Sequence, residues 1–132
     1  VHKLAGMGKW LILLAAAFGL NMAWELVQAP LYGGRPPAEI FVRAAVADAL
    51  LIAVATVAGL LASRRWGPAF WPVLLVALAA TAIFIEARAL ATDRWSYAET
   101  MPTVASLGLS PLVQLPLLGA LSVLVAWRGR VA

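Results

Sequence analysis

"NMAWELVQAPLYGG", residues 21–34, follows directly on the apolar run "WLILLAAAFGL" at 10–20. Together they are long enough to cross a bilayer as one helix, since a span needs about 20 apolar residues, at roughly 1.5 Å each, to cover a hydrocarbon core of about 30 Å. The second half of that span carries Asn21, Glu25 and Gln28, groups that cost free energy in hydrocarbon unless they face protein. Asn21, Glu25, Gln28 and Tyr32 are spaced i, i+4, i+7, i+11, which at about 100° per residue puts them on one narrow stripe. The spacing predicts a membrane helix whose polar stripe is turned into a bundle. If it ends near Tyr32, Glu25 lies about 10 Å below the membrane boundary.

The rest of the sequence supplies the bundle. Of its 132 residues, 64% are hydrophobic and only 12% charged, about half the charge of an average soluble domain, and the mean hydropathy is +0.92. The apolar stretches predict four transmembrane helices over about 10–31, 40–63, 69–92 and 105–127, an all-α, four-transmembrane-helix bundle forming one integral membrane domain over 1–132. Lys3 and Lys9 ahead of an apolar run have the look of a secretory signal. The run is longer than the roughly 7–15 residues of a signal core and carries a carboxylate, so it is expected to remain in the mature protein. With no cysteine and a lone His2, disulfides, thiolate nucleophiles and Cys- or His-based metal sites are excluded, and no metal or cofactor is expected.

Charge placement orients the bundle. Lys3 and Lys9 precede helix 1, Arg64 and Arg65 lie between helices 2 and 3, and Arg128 and Arg130 follow helix 4, with no acid near any of them. By the positive-inside rule these segments, and both termini, are expected in the cytoplasm, in a multi-pass protein of the plasma (inner) membrane. Arg35, Arg43, Arg88 and Arg94 and all six acids, Glu25, Glu39, Asp48, Glu86, Asp93 and Glu99, fall toward the other face. The pI of about 10.4 therefore reports topology, and no nucleic-acid partner is expected. Polar chemistry gathers at the outer face, and the inner face anchors.

Each remaining helix contributes to that outer cluster. Helix 2 follows the turn sequence "GGRPPAE" at 33–39, carries Arg43 and Asp48, and continues as an alanine-rich run suited to close helix packing. Helix 3 places Glu86 and Arg88 in its outer quarter, ahead of "TDRWSYAETMPTVASLG" at 92–108, whose Trp95 and Tyr97 are either interfacial belt residues or pocket walls. In helix 4, Ser106, Ser110 and Gln114 are spaced i, i+4, i+8, and Pro111 and Pro116 are each expected to break the hydrogen-bond ladder, giving a kinked helix beside a polar cavity. "VQAPLYG" at 27–33 echoes "VQLPLLG" at 113–119, either by chance or as the trace of an inverted repeat.

Three intramembrane carboxylates, Glu25, Asp48 and Glu86, are expected to converge near Arg43 or Arg88. One outcome is an ion-pair network that fixes helix register. The other is a site in which Glu25, with Glu86 or Asp48, is catalytic and Asn21, Trp24, Gln28, Tyr32, Arg88, Trp95, Tyr97 and Gln114 bind substrate. A carboxylic acid held out of water can protonate an apolar isoprenoid or lipid substrate at the outer leaflet, with aromatic faces stabilising the positive charge that develops. It can equally couple protons in a small transporter, or mark the binding surface of a non-catalytic accessory subunit. Expected partners are the bilayer and a lipid or isoprenoid-like ligand, and the small size leaves a homodimer or a membrane-complex partner open.

"NMAWELVQAPLY", "DRWSYAETMP" and "GLSPLVQLPLLG" together resemble a family of small prokaryotic four-helix membrane proteins, a likeness that implies the fold and no activity. Asn21, Trp24 and Glu25 are also similar to an Asn-x-x-Trp-Glu segment of integral-membrane terpene cyclases. Those proteins are longer, with about seven helices; the resemblance implies only that Glu25 is an acid toward a polyprenyl substrate.

Overall fold

In a bilayer every backbone N–H and C=O must be satisfied within the chain, and long runs of Leu, Ala and Val do this by forming helices. The computed structural model describes residues 2–34 and 38–128; Arg35 and Arg130 of the charge balance lie outside the described residues. The helices are α1 (His2–Gln28), α2 (Ala38–Trp66), α3 (Phe70–Ala91) and α4 (Leu109–Trp127). All four are long and apolar enough to cross a membrane, so the chain is a multi-pass, all-α four-helix membrane protein. The α1 pattern stops at Gln28 because Pro30 has no N–H to give; the chain tightens into a 3₁₀ turn, Ala29–Leu31, closed by the Tyr32 N–H to the Ala29 carbonyl at 3.2 Å.

The helices form a ring in which each packs on its neighbours in sequence and α4 closes back onto α1, while α2 and α4 touch only marginally across the middle. Four successive antiparallel spans bring both chain ends to one face of the bundle. The opposite face collects the C-terminal ends of α1 and α3, the N-terminal ends of α2 and α4, and the connections between them. Burial follows helical spacing: Phe70, Leu74, Leu78, Ala82, Glu86 and Ala89 on α3, and Pro111, Gln114, Leu115, Leu118, Gly119, Ser122, Val123 and Ala126 on α4. Leu13, Ile52, Leu74, Leu78 and Val123 fill the half of the core toward the chain ends. Two glycines let helices approach closely: a Cβ on Gly59 would lie 2.9 Å from the Phe70 ring, and one on Gly119 would run into Leu78. Val54, Val76, Phe84 and Val125 point outward, as a lipid-facing surface requires.

The start of α4 differs from the sequence expectation. Residues 103–108 form a hairpin of β1 (Thr103–Val104) and β2 (Leu107–Gly108), pairing Thr103 with Gly108 and Val104 with Leu107. Ala105 and Ser106 make its two-residue turn at φ 51° and 69°, the left-handed geometry that fits strand twist. Ser106 is therefore exposed in a turn, off the α4 stripe. Pro111, the third residue of α4, falls where no intrahelical donor is needed, so only Pro116 lies inside the helix. The ladder is interrupted once, not twice.

Candidate functional site

The α1 stripe faces the bundle and meets Gln114 of α4. Asn21 is fully buried; its Nδ2 donates to the Ala17 carbonyl at 2.7 Å and its Oδ1 accepts from Gln114 Nε2 at 2.9 Å. The same Gln114 Nε2 lies 3.0 Å from Glu25 Oε1 and 3.1 Å from Asp48 Oδ2. Gln28 Nε2 donates to Glu25 Oε2 at 3.2 Å and to Gln114 Oε1 at 3.0 Å. Gln28 Oε1 accepts from Ser110 Oγ at 2.7 Å and Trp24 Nε1 at 3.2 Å, and Trp24 Nε1 also reaches Ser110 Oγ at 3.1 Å. The two glutamines of the sequence echo thus meet across antiparallel helices. An amide NH₂ has two protons, yet that of Gln114 faces three acceptors on α1 and α2. One acceptor at a time is left for another proton or a ligand.

Glu86 has a separate set of partners. Tyr97 Oη and Trp95 Nε1 donate to its Oε2 at 2.5 and 3.2 Å, and Tyr32 Oη donates to Oε1 at 3.3 Å. These aromatics are held because the two connections at this face are joined by backbone: the Gly33 N–H donates to the Ser96 carbonyl at 2.8 Å and the Ala98 N–H to that of Leu31 at 2.9 Å. Tyr97 Oη in turn accepts the Gly108 N–H at 2.8 Å, tying the hairpin to Glu86. The Tyr32 ring stands edge-on to Trp95 at 6.0 Å, and the Arg94 guanidinium lies 5.7 Å over the Trp95 ring. Removal from water, reinforced by the Glu86 hydrogen bond, pushes the Tyr97 phenol up to about 12. Burial, with the nearby charges of Glu86 and Glu25, raises the Tyr32 phenol too. Both phenols remain donors at neutral pH.

Between these groups and the N-terminal half of α2 lies an open cavity of about 1140 Å³. Glu25, Asp48 and Glu86 all line it, with Gln28, Gln114, Tyr32 and Trp95; Ile40, Phe41, Leu51, Ile85 and Leu115 make apolar walls. Asn21, Trp24 and Tyr97 stand behind this lining, hydrogen-bonded to residues that form it. Arg88 is corrected: it is exposed and off the cavity, because two residues beyond Glu86 is about 200° around the helix. The three carboxylates do converge near Arg43, which lines the same cavity, but the ion-pair outcome does not hold. Among the described residues no arginine or lysine bridges Glu25, Asp48 or Glu86; amides, phenols and an indole hold them instead.

Arg43 and Arg94 do line the cavity. Ser110 keeps its expected place on the α4 stripe with Gln114 and bonds Gln28, whereas Phe41 and Arg94 are additional wall residues. Phe41, Ala44, Asp48 and Leu51 share the i, i+3, i+7, i+10 spacing of one helix face, which was the available signal for Phe41; nothing local marks Arg94. Among the described residues no three of His, Cys, Asp and Glu are grouped so as to hold a metal ion. The chain matches no family model, no curated protein and no solved structure.

Proposed function

We propose that this chain is a membrane-embedded enzyme that uses a half-buried carboxylic acid at a cavity wall on an apolar, isoprenoid or lipid, substrate. In this reading both termini lie in the cytoplasm, the protein resides in the plasma membrane, and substrate enters from the outer leaflet. The observation that carries it is the convergence of Glu25 and Asp48 on one Gln114 amide at the wall of a large, partly apolar cavity. Glu25 is the acid, its second oxygen oriented by Gln28. Asp48, the other group on the Gln114 NH₂, takes up or returns the proton. Glu86, with three donors on its two oxygens, acts as a fixed acceptor that holds Tyr32 and Trp95 at the wall, where their faces meet positive charge developing on a substrate.

Transport is the weaker reading, because the core between this cavity and the chain ends is closed by fully buried Leu13, Ile52, Leu74 and Val123, which favours a site open to one side. The test is turnover by purified protein in lipid nanodiscs, offered polyprenyl and other apolar lipids, with products separated by mass. Glu25→Gln should lower turnover by about 10²-fold or more, the usual worth of a positioned acid. Unchanged turnover of every lipid by Glu25→Gln would end the enzyme reading. Loss of phenotype on enlarging the buried alanines Ala45 and Ala49 of α2, with Glu25→Gln silent, would instead assign an accessory subunit.

A further inference from the structure

At the other end of the bundle, the seam of α1 and α4 carries a second, smaller and open hollow of about 280 Å³ lined by Lys9, Ile12, Ala126, Trp127 and Arg128. We infer that this seam binds the phosphodiester headgroup of an anionic phospholipid. Lys9 lies on α1 and Arg128 is the residue that ends α4, and both line the one hollow. None of the chain's six acids lies in the segments that make this end, since all belong to the opposite half of the sequence map. Among the described residues the charge of Lys9 and Arg128 is therefore not cancelled by side-chain carboxylates.

The surroundings match a lipid better than a soluble anion. Trp127 is packed edge-on against Trp10 at 5.4 Å, an aromatic pair of the kind that anchors a span at headgroup level. Ile12 is half-exposed, and Leu124 and Val125 point outward one turn inside the bundle from Trp127 and Arg128, so an acyl chain can follow the helix surface directly below the headgroup. The volume is small for a complete drug-sized ligand, whose pockets run from roughly 300 to 1,000 Å³, and suits a headgroup whose tails remain in the bilayer. Basic hollows between membrane helices are a known means of recognising anionic headgroups.

The site is independent of the outer cavity and is tested separately. Protein in nanodiscs of phosphatidylcholine with 30% phosphatidylglycerol is released into the gas phase, and bound lipids are counted by native mass spectrometry. Wild type should retain phosphatidylglycerol over phosphatidylcholine. Lys9→Gln with Arg128→Gln should reduce that retention by roughly 30-fold, from about one decade per 1.4 kcal/mol and about 1 kcal/mol for each basic group near an anionic surface. Lys9→Arg with Arg128→Lys should preserve it, showing that the effect is charge and not misfolding. Arg64→Gln with Arg65→Gln, at the same end but away from the hollow, should leave it unchanged. An equal loss in that control would overturn the site in favour of general surface charge. Equally tight binding of glycerol 3-phosphate in detergent would overturn the lipid as its occupant.

Discussion

Tyr97→Phe removes one oxygen and two hydrogen bonds. That oxygen donates to Glu86 Oε2 at 2.5 Å and accepts the Gly108 N–H at 2.8 Å. A hydrogen bond to a charged acceptor is worth about 1.5–3 kcal/mol net, and a buried N–H left unpaired costs about 1–3 kcal/mol. Gly108 is buried whereas Tyr97 is only partly so. Glu86 is buried as well, but water entering beside the half-buried ring can replace the lost hydroxyl toward both groups and recover part of the loss. The total is placed near the lower end, about 2–3 kcal/mol. Tyr32→Phe breaks one longer bond to the same carboxylate, 3.3 Å, and should cost about 1 kcal/mol or less. Reversible unfolding in mild detergent would give both values, and a cycle with Glu86→Gln would isolate the coupling. Coupling of Glu86 to Tyr97 should exceed that to Tyr32 by about 1 kcal/mol. Should Tyr32→Phe prove the more damaging, or Tyr97 and Glu86 show no coupling, the assignment of Tyr97 as the strut between hairpin and carboxylate is refuted.

The alkaline limb of stability gives a second check. The Tyr97 phenol is raised from 10.0 to about 12 in the fold, so its contribution is fully present below pH 10 and is lost as pH rises through 12. The decline between pH 10 and 12 should be shallower in Tyr97→Phe than in wild type, and identical slopes would contradict the stated burial. In the core, Gly119→Ala drives a methyl into Leu78 and should cost about 1–3 kcal/mol by overpacking. The same change in a Leu78→Ala background should cost clearly less, and strictly additive losses on unfolding would show that the two helices do not meet there.

Hydropathy alone determined the four spans, because a bilayer admits only chains that satisfy their own backbone, and a long apolar run does so as a helix. Helical spacing likewise determined that Asn21, Glu25 and Gln28 share a face of α1, and all three bond Gln114; Tyr32 lies past the end of α1 in extended backbone and meets Glu86 instead. Sequence spacing fixes angles about one helix axis and is silent on which face meets which neighbour. Only the tertiary structure therefore decided that Gln114 joins Glu25 to Asp48, and that Glu86 is met by Tyr32, Trp95 and Tyr97 rather than by arginine. The hairpin at 103–108 was hidden for a related reason. Its turn residues, Ala105 and Ser106, carry none of the usual Asn-Gly signal, and their left-handed backbone accompanies contacts outside the turn, the Gly108 N–H donating to Tyr97 Oη and the Leu109 N–H to the Pro102 carbonyl at 2.7 Å. Local composition chose the helices; contacts between distant segments chose which polar groups share one cavity.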